Sequence, residues 1–353
     1  MAEQRTVRIG FVGVGTMGQC AHLRNYATLP DCEVVAIAEP REDVGRKVAA
    51  RYQIPKVYRT HEEMFAAEKL DGIVAAQPFT RHGAFIPEIL KARVPVFIEK
   101  PIAASISMGE RIVQAVKENG SFLMVGYHKR CDPATMWAKK EIDALKKSGE
   151  IGKLRYVRIL MPAGDWVAGG LYDLVQGAAH QPAFGPDPRP SDMDEELYDS
   201  YVAFVNYYIH QVNLMRHLLG EPYSLKYAAA SGVMLAGESR SGVACVLEMS
   251  PYETTLDWQE SALVAFEHGW VRLDLPAPLA MFRAGSVEIF KDPSRDATPQ
   301  RISPQFPSVH AMRQQAINFI RAVRGEMPPM TGAAEALEDL RVARQYIRLW
   351  KGR

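Results

Sequence analysis

A lysine beside a proline is the first residue whose type and position indicate chemistry. Lys100 follows a short apolar run and precedes Pro101, so it lies where a buried strand would end. An ammonium group there can stabilise an alkoxide or transfer a proton. Because cis peptide bonds are essentially confined to X–Pro, Pro101 can fix the direction in which the lysine points. We therefore predict that Lys100 is catalytic; the alternative is a surface lysine in a loop.

A glycine-rich turn, Gly13-x-Gly15-x-x-Gly18, comes directly after the first apolar run. A tight turn at Gly13, bare backbone at Gly15 and close packing at Gly18 would place a phosphate at the N-terminus of the next helix. Glu39 lies 21 residues after Gly18, the spacing of a carboxylate that binds ribose hydroxyls. The pattern predicts a dinucleotide site rather than a turn of an unrelated α/β sheet. We assign to it Gly13, Gly15, Thr16, Met17, Gly18, Glu39, Arg41, Pro78, His82, Glu99 and Lys100.

The residue at position 39 bears on which dinucleotide binds. A carboxylate there accepts from the 2′-hydroxyl of NAD and repels the 2′-phosphate of NADP. Arg41 lies two residues later, and its guanidinium would stack on adenine or pair with a phosphate, unless it is an ordinary solvated residue. We predict NAD as the cofactor, with NADP as the less favoured alternative.

Apolar runs and helical patterns alternate through the first third of the chain. Strands are predicted at 8–13, 34–38, 72–76, 96–98 and 122–125, with helices such as 41–52 and 105–119 between them. This alternation predicts a doubly wound parallel sheet, a Rossmann-type α/β domain over residues 1–127. Ligands of such sheets lie beyond the carboxyl ends of the strands. Residues 77–82, 99–101 and 127–130 occupy those positions.

The remainder, residues 128–353, is predicted to be a separate α+β domain. Strands are expected at 154–161, 224–235, 243–249, 256–266, 270–273 and 286–289, with helices at 194–219, 309–324 and 333–350. A strand-rich region that follows an alternating one favours a second domain with its own core.

Composition excludes several classes of protein. The 353 residues carry a formal net charge of +1 with mixed signs, which does not favour a nucleic-acid or membrane-surface partner. Apolar runs stay well short of the ~20 residues that a membrane span needs. The four cysteines lack Cys-x-x-Cys spacing and the N-terminus lacks a signal-peptide pattern, so we expect a reduced, cytoplasmic protein. The nine histidines show no ligand spacing with carboxylates, so no metal site is predicted.

These motifs together resemble the glucose–fructose oxidoreductase/inositol dehydrogenase (Gfo/Idh/MocA) family. The resemblance covers nearly the whole chain; its matching segments are the glycine turn, the acidic end of the second strand, 78–82, 99–101, 126–133 and 210–221. It implies a Rossmann domain followed by a domain with a large, mostly antiparallel open sheet. The open face of that sheet would join subunits of a homo-oligomer, a dimer or tetramer. The implied chemistry is hydride exchange between a nicotinamide and a carbinol carbon of a sugar or cyclitol.

The family resemblance also points to a histidine on the long helix predicted at 194–219. Asn206 and His210 are four residues apart and would share one face of that helix. Members of the family carry an aspartate at the position of Asn206, so this chain departs from the pattern. An amide can hold a histidine tautomer by a hydrogen bond, but it cannot stabilise imidazolium as a carboxylate does. His210 and Asn206 join Lys100 as predicted catalytic residues; the alternative for His210 is a structural histidine.

Two segments are predicted to contact the substrate. Residues 162–192 are rich in proline and glycine, as in binding loops or lids, and the alternative is an arm that contacts a partner subunit. The other segment follows the fifth strand, and its basic residues hint at an anionic sugar such as a uronate or sulfonate. The predicted substrate residues are Tyr127, His128, Lys129, Arg130, Trp166, Asp173 and His180.

Three functions remain open from the sequence. The first is an NAD-dependent dehydrogenase of a sugar, glycoside or cyclitol, with His210 as base and Lys100 stabilising the alkoxide. The second is a redox-neutral NAD-dependent glycosidase that oxidises a sugar carbon transiently, with Tyr127 or His128 as an extra acid or base. The third is a dinucleotide-binding sensor without catalysis, which the presence of both Lys100 and His210 argues against. We favour the first.

Overall fold

The computed structural model describes residues 5–171, 173–177, 184–293 and 296–352. The chain forms two compact units. The first comprises Met1–Tyr127, Gly169–Asp194 and Gln315–Leu340, and the second comprises His128–Ala168, Glu195–Gln314 and Arg341–Arg353. The predicted boundary after residue 127 coincides with one of these borders. Two later segments, which the sequence analysis assigned to the second domain, lie in the first unit instead.

The described part of the first unit contains a parallel sheet. Its strands are β1 (Val7–Val12), β2 (Cys32–Ala38), β3 (Lys56–Tyr58), β4 (Gly72–Ala75), β5 (Val96–Ile98) and β6 (Leu123–Val125). They lie in the order β3-β2-β1-β4-β5-β6. Strands β4, β5 and β6 are apolar and buried along their whole length, as strands covered on both faces are. The order reverses between β1 and β4, which is where such sheets bind ligands.

Helices connect these strands. A π-helical turn (Gly18–Leu23) leads into α1 (Arg24–Tyr26), and α2 (Glu42–Tyr52), α3 (His61–Ala67), α4 (His82–Leu90) and α5 (Ile106–Asn119) follow along the chain. Ser105 caps α5 by accepting from the backbone N–H of Met108, 3.3 Å away. Gly120 ends the same helix with a φ of 69°, a conformation that favours glycine.

Residues from the C-terminal part of the chain pack on the first unit and cover apolar side chains of its sheet and helices. The ring of Phe319 lies 6.3 Å from that of Tyr26 and 5.8 Å from that of Phe97, centroid to centroid. Two leucines of the same segment lie against Gly109 of α5, where Leu337 Cδ1 would be 2.8 Å from an added Cβ. Such tertiary packing of distant residues leaves no local signal in the sequence, which is why the sequence analysis placed this segment with the second domain.

The second unit is built on a mostly antiparallel sheet. Its described strands are β7 (Leu154–Leu160), β8 (Tyr223–Ala228), β9 (Met234–Ser239), β10 (Ala244–Glu248), β11 (Ser261–Phe266), β12 (Gly269–Asp274), β13 (Ser286–Lys291) and β14 (Gln300–Ile302). They lie in the order β14-β13-β12-β11-β7-β10-β9-β8, and β7 with β10 is the parallel pair. The helices are α6 (Pro133–Ser148), α7 (Glu195–Leu219), α8 (Ala311–Val323) and α9 (Ala333–Lys351), the last two shared with the first unit.

The fold class predicted from the sequence is confirmed, with differences in detail. The predicted strand at 224–235 is two strands, β8 and β9, which reverse through a turn where Gly232 has a φ of 75°. Strands β3 and β14 were missed, because three residues are too few to show a periodicity. In the part of the chain that the structure describes, no helix is long and apolar enough to cross a membrane.

Asp132 ties the start of α6 to the loop before β13. Its carboxylate accepts from the backbone N–H of Ala134 at 2.8 Å and from that of Gly285 at 3.0 Å. Burial raises the pKa of this carboxyl, and the hydrogen bonds from Ala134 and Gly285 lower it. Burial has the larger effect, so the pKa rises from 3.8 to about 6. The folded state therefore binds the proton more tightly than the unfolded state does. The stability contribution of this group is present below pH ~4 and is lost as the pH rises towards 6.

We expect Asp132→Asn to remove this pH dependence. The amide keeps an acceptor oxygen for the two N–H groups and carries no charge to desolvate. Relative to the unchanged protein, the variant should gain about 3 kcal/mol in free energy of unfolding between pH 3 and pH 7. Urea unfolding at a series of pH values measures this difference. A difference that does not change with pH would contradict the raised pKa.

Candidate functional site

The glycine turn after β1 has the geometry that the sequence predicted. Gly13 has a φ of +85°, and a Cβ there would lie 2.3 Å from Nε2 of Gln77. A Cβ on Gly18 would lie 2.7 Å from the carbonyl oxygen of Gly13. An added Cβ on Gly15, by contrast, meets nothing within 4 Å. Two of the glycines thus make the turn possible, and the third leaves open space beside the backbone.

The helix after this turn begins at an open position. Thr16 is exposed, Met17 is half-buried, and Met17 makes no side-chain hydrogen bond that caps the helix. Backbone N–H groups of an uncapped first turn can bind a phosphate, which the macrodipole also favours. The open space at Gly15 and this uncapped turn fit a dinucleotide pyrophosphate. That Gly15, Thr16 and Met17 bind it stays a prediction.

We expect Gly18→Ala to damage this turn. The added methyl group would press on a backbone oxygen, which cannot move aside as the end of a flexible side chain can. Overpacking of this kind costs about 1–3 kcal/mol of stability, and dinucleotide affinity should fall as the turn distorts. Thermal unfolding and dinucleotide titration measure the two effects. Gly15→Ala is the matched control: it should leave stability nearly unchanged, and equal destabilisation by both variants would contradict this reading.

Glu39 and Arg41 form a tight pair at the end of β2. The carboxylate of Glu39 is 3% exposed and accepts from Arg41 Nε at 2.7 Å and Arg41 Nη2 at 3.0 Å. Its Oε2 also accepts from the backbone N–H of Val14, 3.0 Å away, so it supports the glycine turn. Burial by itself raises the pKa of Glu39, but the bonds from Arg41 and Val14 lower it overall. The carboxylate that the sequence assigned to a ribose is therefore ionised and already bonded within the protein.

Lys100 lies just beyond β5, and Glu99 holds its backbone. Glu99 Oε2 accepts from the backbone N–H of Lys100 at 3.1 Å, and Glu99 Oε1 lies 2.5 Å from His22 Nε2. Burial favours the neutral form of Glu99, yet the hydrogen bond from His22 and the charges of His22 and Lys100 lower its pKa overall. The Lys100–Pro101 peptide bond is cis. Sequence reasoning missed His22, because only the packing of the first helix against β5 brings it to Glu99.

His82 links two loops at this edge of the sheet. Its ring is fully buried, with Nδ1 3.1 Å from the carbonyl oxygen of Ile102 and Nε2 3.1 Å from that of Gln77. Burial lowers the pKa of His82, which favours the neutral ring. The structure thus gives this histidine a role in joining the loops after β4 and β5. Pro78, also assigned to the cofactor, is exposed at the start of the short 3₁₀ turn Phe79–Arg81.

Part of the proline- and glycine-rich segment lies on the first unit. Asp173 accepts from Arg24 Nη2 at 2.6 Å, and its binding of a sugar hydroxyl stays a prediction. The side-chain amide of Gln19 bonds both the backbone N–H and the carbonyl oxygen of Val175, each at 3.0 Å. Farther on, Asp187 caps α4 by accepting from Gly83 N at 2.8 Å and Ala84 N at 3.1 Å. His180, a predicted substrate residue, lies outside the described residues.

In the second unit, two predicted site residues meet. The rings of His128 and His210 lie 4.3 Å apart, centroid to centroid, with their planes at 75°. Both rings are buried, with exposed fractions of 2% and 9%. Asn206, predicted to orient His210 from one turn earlier on α7, is itself exposed. Trp166 is half-buried, and its backbone oxygen accepts from Leu279 N at 3.2 Å. Tyr127, at the end of the first unit, is buried.

The two basic residues after His128 are also buried, and both are bonded inside the unit. Lys129 forms an ion pair with Glu260, and Arg130 Nε donates to Asn213 Oδ1 at 2.6 Å. The basic residues of the sequence had hinted at an anionic substrate. Because their charges are bonded inside the unit, they do not by themselves indicate one. In the described part of the chain, no group of three or more histidine, cysteine, aspartate or glutamate side chains is arranged to hold a metal ion.

Comparison with known proteins agrees with this architecture. Residues 7–127 match the family model described as "Oxidoreductase family, NAD-binding Rossmann fold". Inositol 2-dehydrogenase of Acidothermus cellulolyticus is 34% identical over 154 residues, 43% of this chain and 44% of that protein. The scyllo-inositol 2-dehydrogenase (NAD(+)) of Bacillus subtilis is 30% identical over 44% of each chain. Both alignments therefore span less than half of the curated relative.

A solved structure extends the likeness of fold to the whole chain. Aldose–aldose oxidoreductase from Caulobacter crescentus, complexed with glycerol, superposes with a TM-score of 0.69 over 99% of both chains. Its sequence identity is 19%, so this likeness concerns the fold alone. The Rossmann sheet with its glycine turn, the second sheet and the matched segment 7–127 lead to one conclusion. Through that segment, the chain is similar to the Gfo/Idh/MocA family of oxidoreductases with an NAD-binding Rossmann fold.

Proposed function

We propose that this protein is an NAD-dependent dehydrogenase that oxidises a secondary hydroxyl of a sugar, glycoside or cyclitol. The observation that carries the proposal is Lys100 at the carboxyl end of β5, on the edge of the sheet that bears the glycine turn. Glu99 and His22 fix the backbone there through buried hydrogen bonds. The relatives named above are inositol dehydrogenases, which supports a polyhydroxylated substrate.

The roles of the residues follow from the charge that develops during the reaction. A bound nicotinamide would supply the hydride acceptor, and the residues from Gly13 to Gly18 would hold its phosphates. His210 takes the proton of the substrate hydroxyl as general base. Lys100 stabilises the alkoxide that this proton removal leaves, and the alkoxide becomes the ketone as hydride leaves the carbon. Aromatic and polar side chains, among them Trp166, would orient the ring.

One assay tests this function against its nearest alternative. Neutral and anionic pyranosides and cyclitols are incubated with NAD, and NADH absorbance and aglycone release are followed in the same wells. We expect NADH to rise in step with oxidised sugar. Aglycone release without net NADH would instead identify a redox-neutral glycosidase with recycled NAD. Dinucleotide binding without turnover of any substrate would contradict both and indicate a sensor.

The Glu39–Arg41 pair leads to a prediction about cofactor choice. Glu39 neutralises the nearby guanidinium and keeps it away from a phosphate, so we expect a preference for NAD over NADP. Glu39→Gln removes the negative charge and releases Arg41. The ratio of NAD to NADP affinity should fall about tenfold, which corresponds to ~1.4 kcal/mol of lost discrimination. Titration of both dinucleotides measures it; Glu42→Gln on the exposed side of α2 is the control, and an unchanged ratio would contradict the role of Glu39.

We also propose a homo-oligomer joined through the open face of the second sheet. Trp270 and Phe290 stack there at 6.0 Å, and Arg301 lies 5.6 Å from each ring. Large side chains on a half-buried sheet face are typical of subunit interfaces. Light scattering of the purified protein should give the mass of a dimer or tetramer. Arg301→Glu should then lower that mass by placing a like charge beside Glu288.

A further inference from the structure

Three consecutive residues after the first unit, His128, Lys129 and Arg130, are directed at one helix of the second unit. They form the 3₁₀ turn His128–Cys131, and all three side chains are buried. The sequence analysis assigned them to the substrate. Their contacts lead instead to positions 210, 211 and 213 of α7, the helix that carries the proposed base.

The first contact is between two imidazole rings. The centroids of His128 and His210 are 4.3 Å apart and the planes meet at 75°, an edge-to-face arrangement. Both rings are buried, so neighbouring atoms restrict their rotation. Because the face of one ring lies against the edge of the other, the His128 ring restricts the planes that the His210 imidazole can adopt.

The second contact is a buried ionic cluster. Glu260 accepts from Gln211 Nε2 at 2.7 Å and pairs with Lys129, while Lys129 Nζ lies 5.1 Å from the centre of the Trp258 ring. The side chains of Lys129 and Glu260 are 4% and 0% exposed. A buried ion pair is a weak contributor to stability, because desolvation offsets the attraction between the charges. Its geometric effect is to fix the 3₁₀ turn to the residue next to His210.

The third contact fixes the far end of the turn. Arg130 Nε donates to Asn213 Oδ1 at 2.6 Å, and both side chains are buried. A hydrogen bond from a charged donor in a buried place is among the stronger ones. The turn is therefore joined to α7 at two further positions, 211 and 213, which follow the position where His128 meets His210.

We propose that the turn His128–Cys131 is a brace for α7 and that His128 is a positioning residue that fixes the imidazole of His210 for proton abstraction. This inference rests on the proposed function, in which His210 is the base. It gives the base an orienting contact from across the unit, in addition to the one predicted for Asn206 on the preceding turn of the same helix.

The test compares His128→Ala with His128→Phe. Phenylalanine keeps a flat ring that can pack edge to face but has no nitrogen atoms. We expect His128→Ala to lower kcat about 10²-fold, as a misplacement of ~1 Å in a catalytic group does, with little change in KM or NAD affinity. His128→Phe should recover most of that loss. His268→Ala, in the exposed β11–β12 hairpin, should match the unchanged protein.

Other outcomes would overturn the proposal. A raised KM with unchanged kcat in His128→Ala would make His128 a substrate-binding residue, as the sequence suggested. Equal loss in His128→Phe and His128→Ala would show that the nitrogen atoms take part in the chemistry. The double variant Lys129→Met/Glu260→Gln removes the buried charges while keeping similar volume. It should lower kcat with the melting temperature retained, and an unchanged kcat would remove Lys129 and Glu260 from the brace.

A measurement without turnover separates this inference from the proposed function. In histidine-labelled protein, NMR should show cross-relaxation between the ring protons of His128 and His210, with His210→Asn giving the assignment. His128→Ala should shift the ring signals of His210, and His128→Phe should largely restore them. Failure of these signals would overturn the brace even if His210 is the base. If they appear and His210→Asn stays fully active, the proposed role of His210 as base fails and the ring contact stands.

Discussion

Lys100→Met should abolish turnover while leaving NAD binding intact. Methionine has a similar length and apolar body but no charge, so it removes alkoxide stabilisation with little change in packing. Loss of an electrostatic or proton-transferring group of this kind lowers kcat by about 10²–10⁴-fold. The carboxylate of Glu99 bonds the backbone of position 100, and the substitution does not alter that bond. Steady-state kinetics on the substrate found in the panel assay, together with NAD titration, provide the measurement.

A matched control separates this effect from general loss of positive charge. Lys91→Met, at the exposed end of α4, removes the same charge from the same unit. It should retain full activity. If Lys100→Met keeps more than a tenth of the activity, the lysine has no direct role in the reaction. If it loses NAD binding together with activity, Lys100 belongs to the cofactor site and its catalytic role is not supported.

His210→Asn should produce the second large effect. Asparagine is polar and smaller than histidine, and it cannot accept the substrate proton at neutral pH. We expect kcat to fall about 10²–10⁴-fold, as on removal of a general base. NAD affinity should stay within about twofold, because the cofactor residues lie in the first unit. Single-turnover measurements of NADH formation show whether the loss is in the chemical step.

A variant of Asn206 tests whether this residue orients His210, as the aspartate at the same position is expected to do in the family. The side chain is exposed, whereas the contact at 4.3 Å to the imidazole of His210 comes from His128. Asn206→Ala should therefore change kcat by less than about threefold. A loss as large as that of His210→Asn would mean that Asn206 orients the base. Full activity in His210→Asn would instead assign proton removal to another group.

Local patterns in the sequence were sufficient to predict most strands and the glycine turn of the first unit. The glycine turn could be recognised because two of its glycines are required by the local backbone. Gly13 has a φ of +85°, and a backbone oxygen lies close to Gly18. Buried parallel strands appear as continuous apolar runs, so β1, β2, β4, β5 and β6 were found within about two residues. The mostly antiparallel second sheet followed from its strand-rich pattern and from the family resemblance.

The tertiary structure decided which polar groups meet. Nothing local relates His22 to Glu99 or Lys129 to Glu260, since long stretches of chain separate the members of each pair. The same holds for Phe319, whose burial against Tyr26 assigns a C-terminal segment to the first unit. The run of basic residues at 128–130 shows the limit most directly. A sequence records charge but not burial, and Lys129 and Arg130 are buried with partners, Glu260 and Asn213, that no local pattern indicates. The sequence determined the residue types available for chemistry, and long-range packing determined which of them face one another.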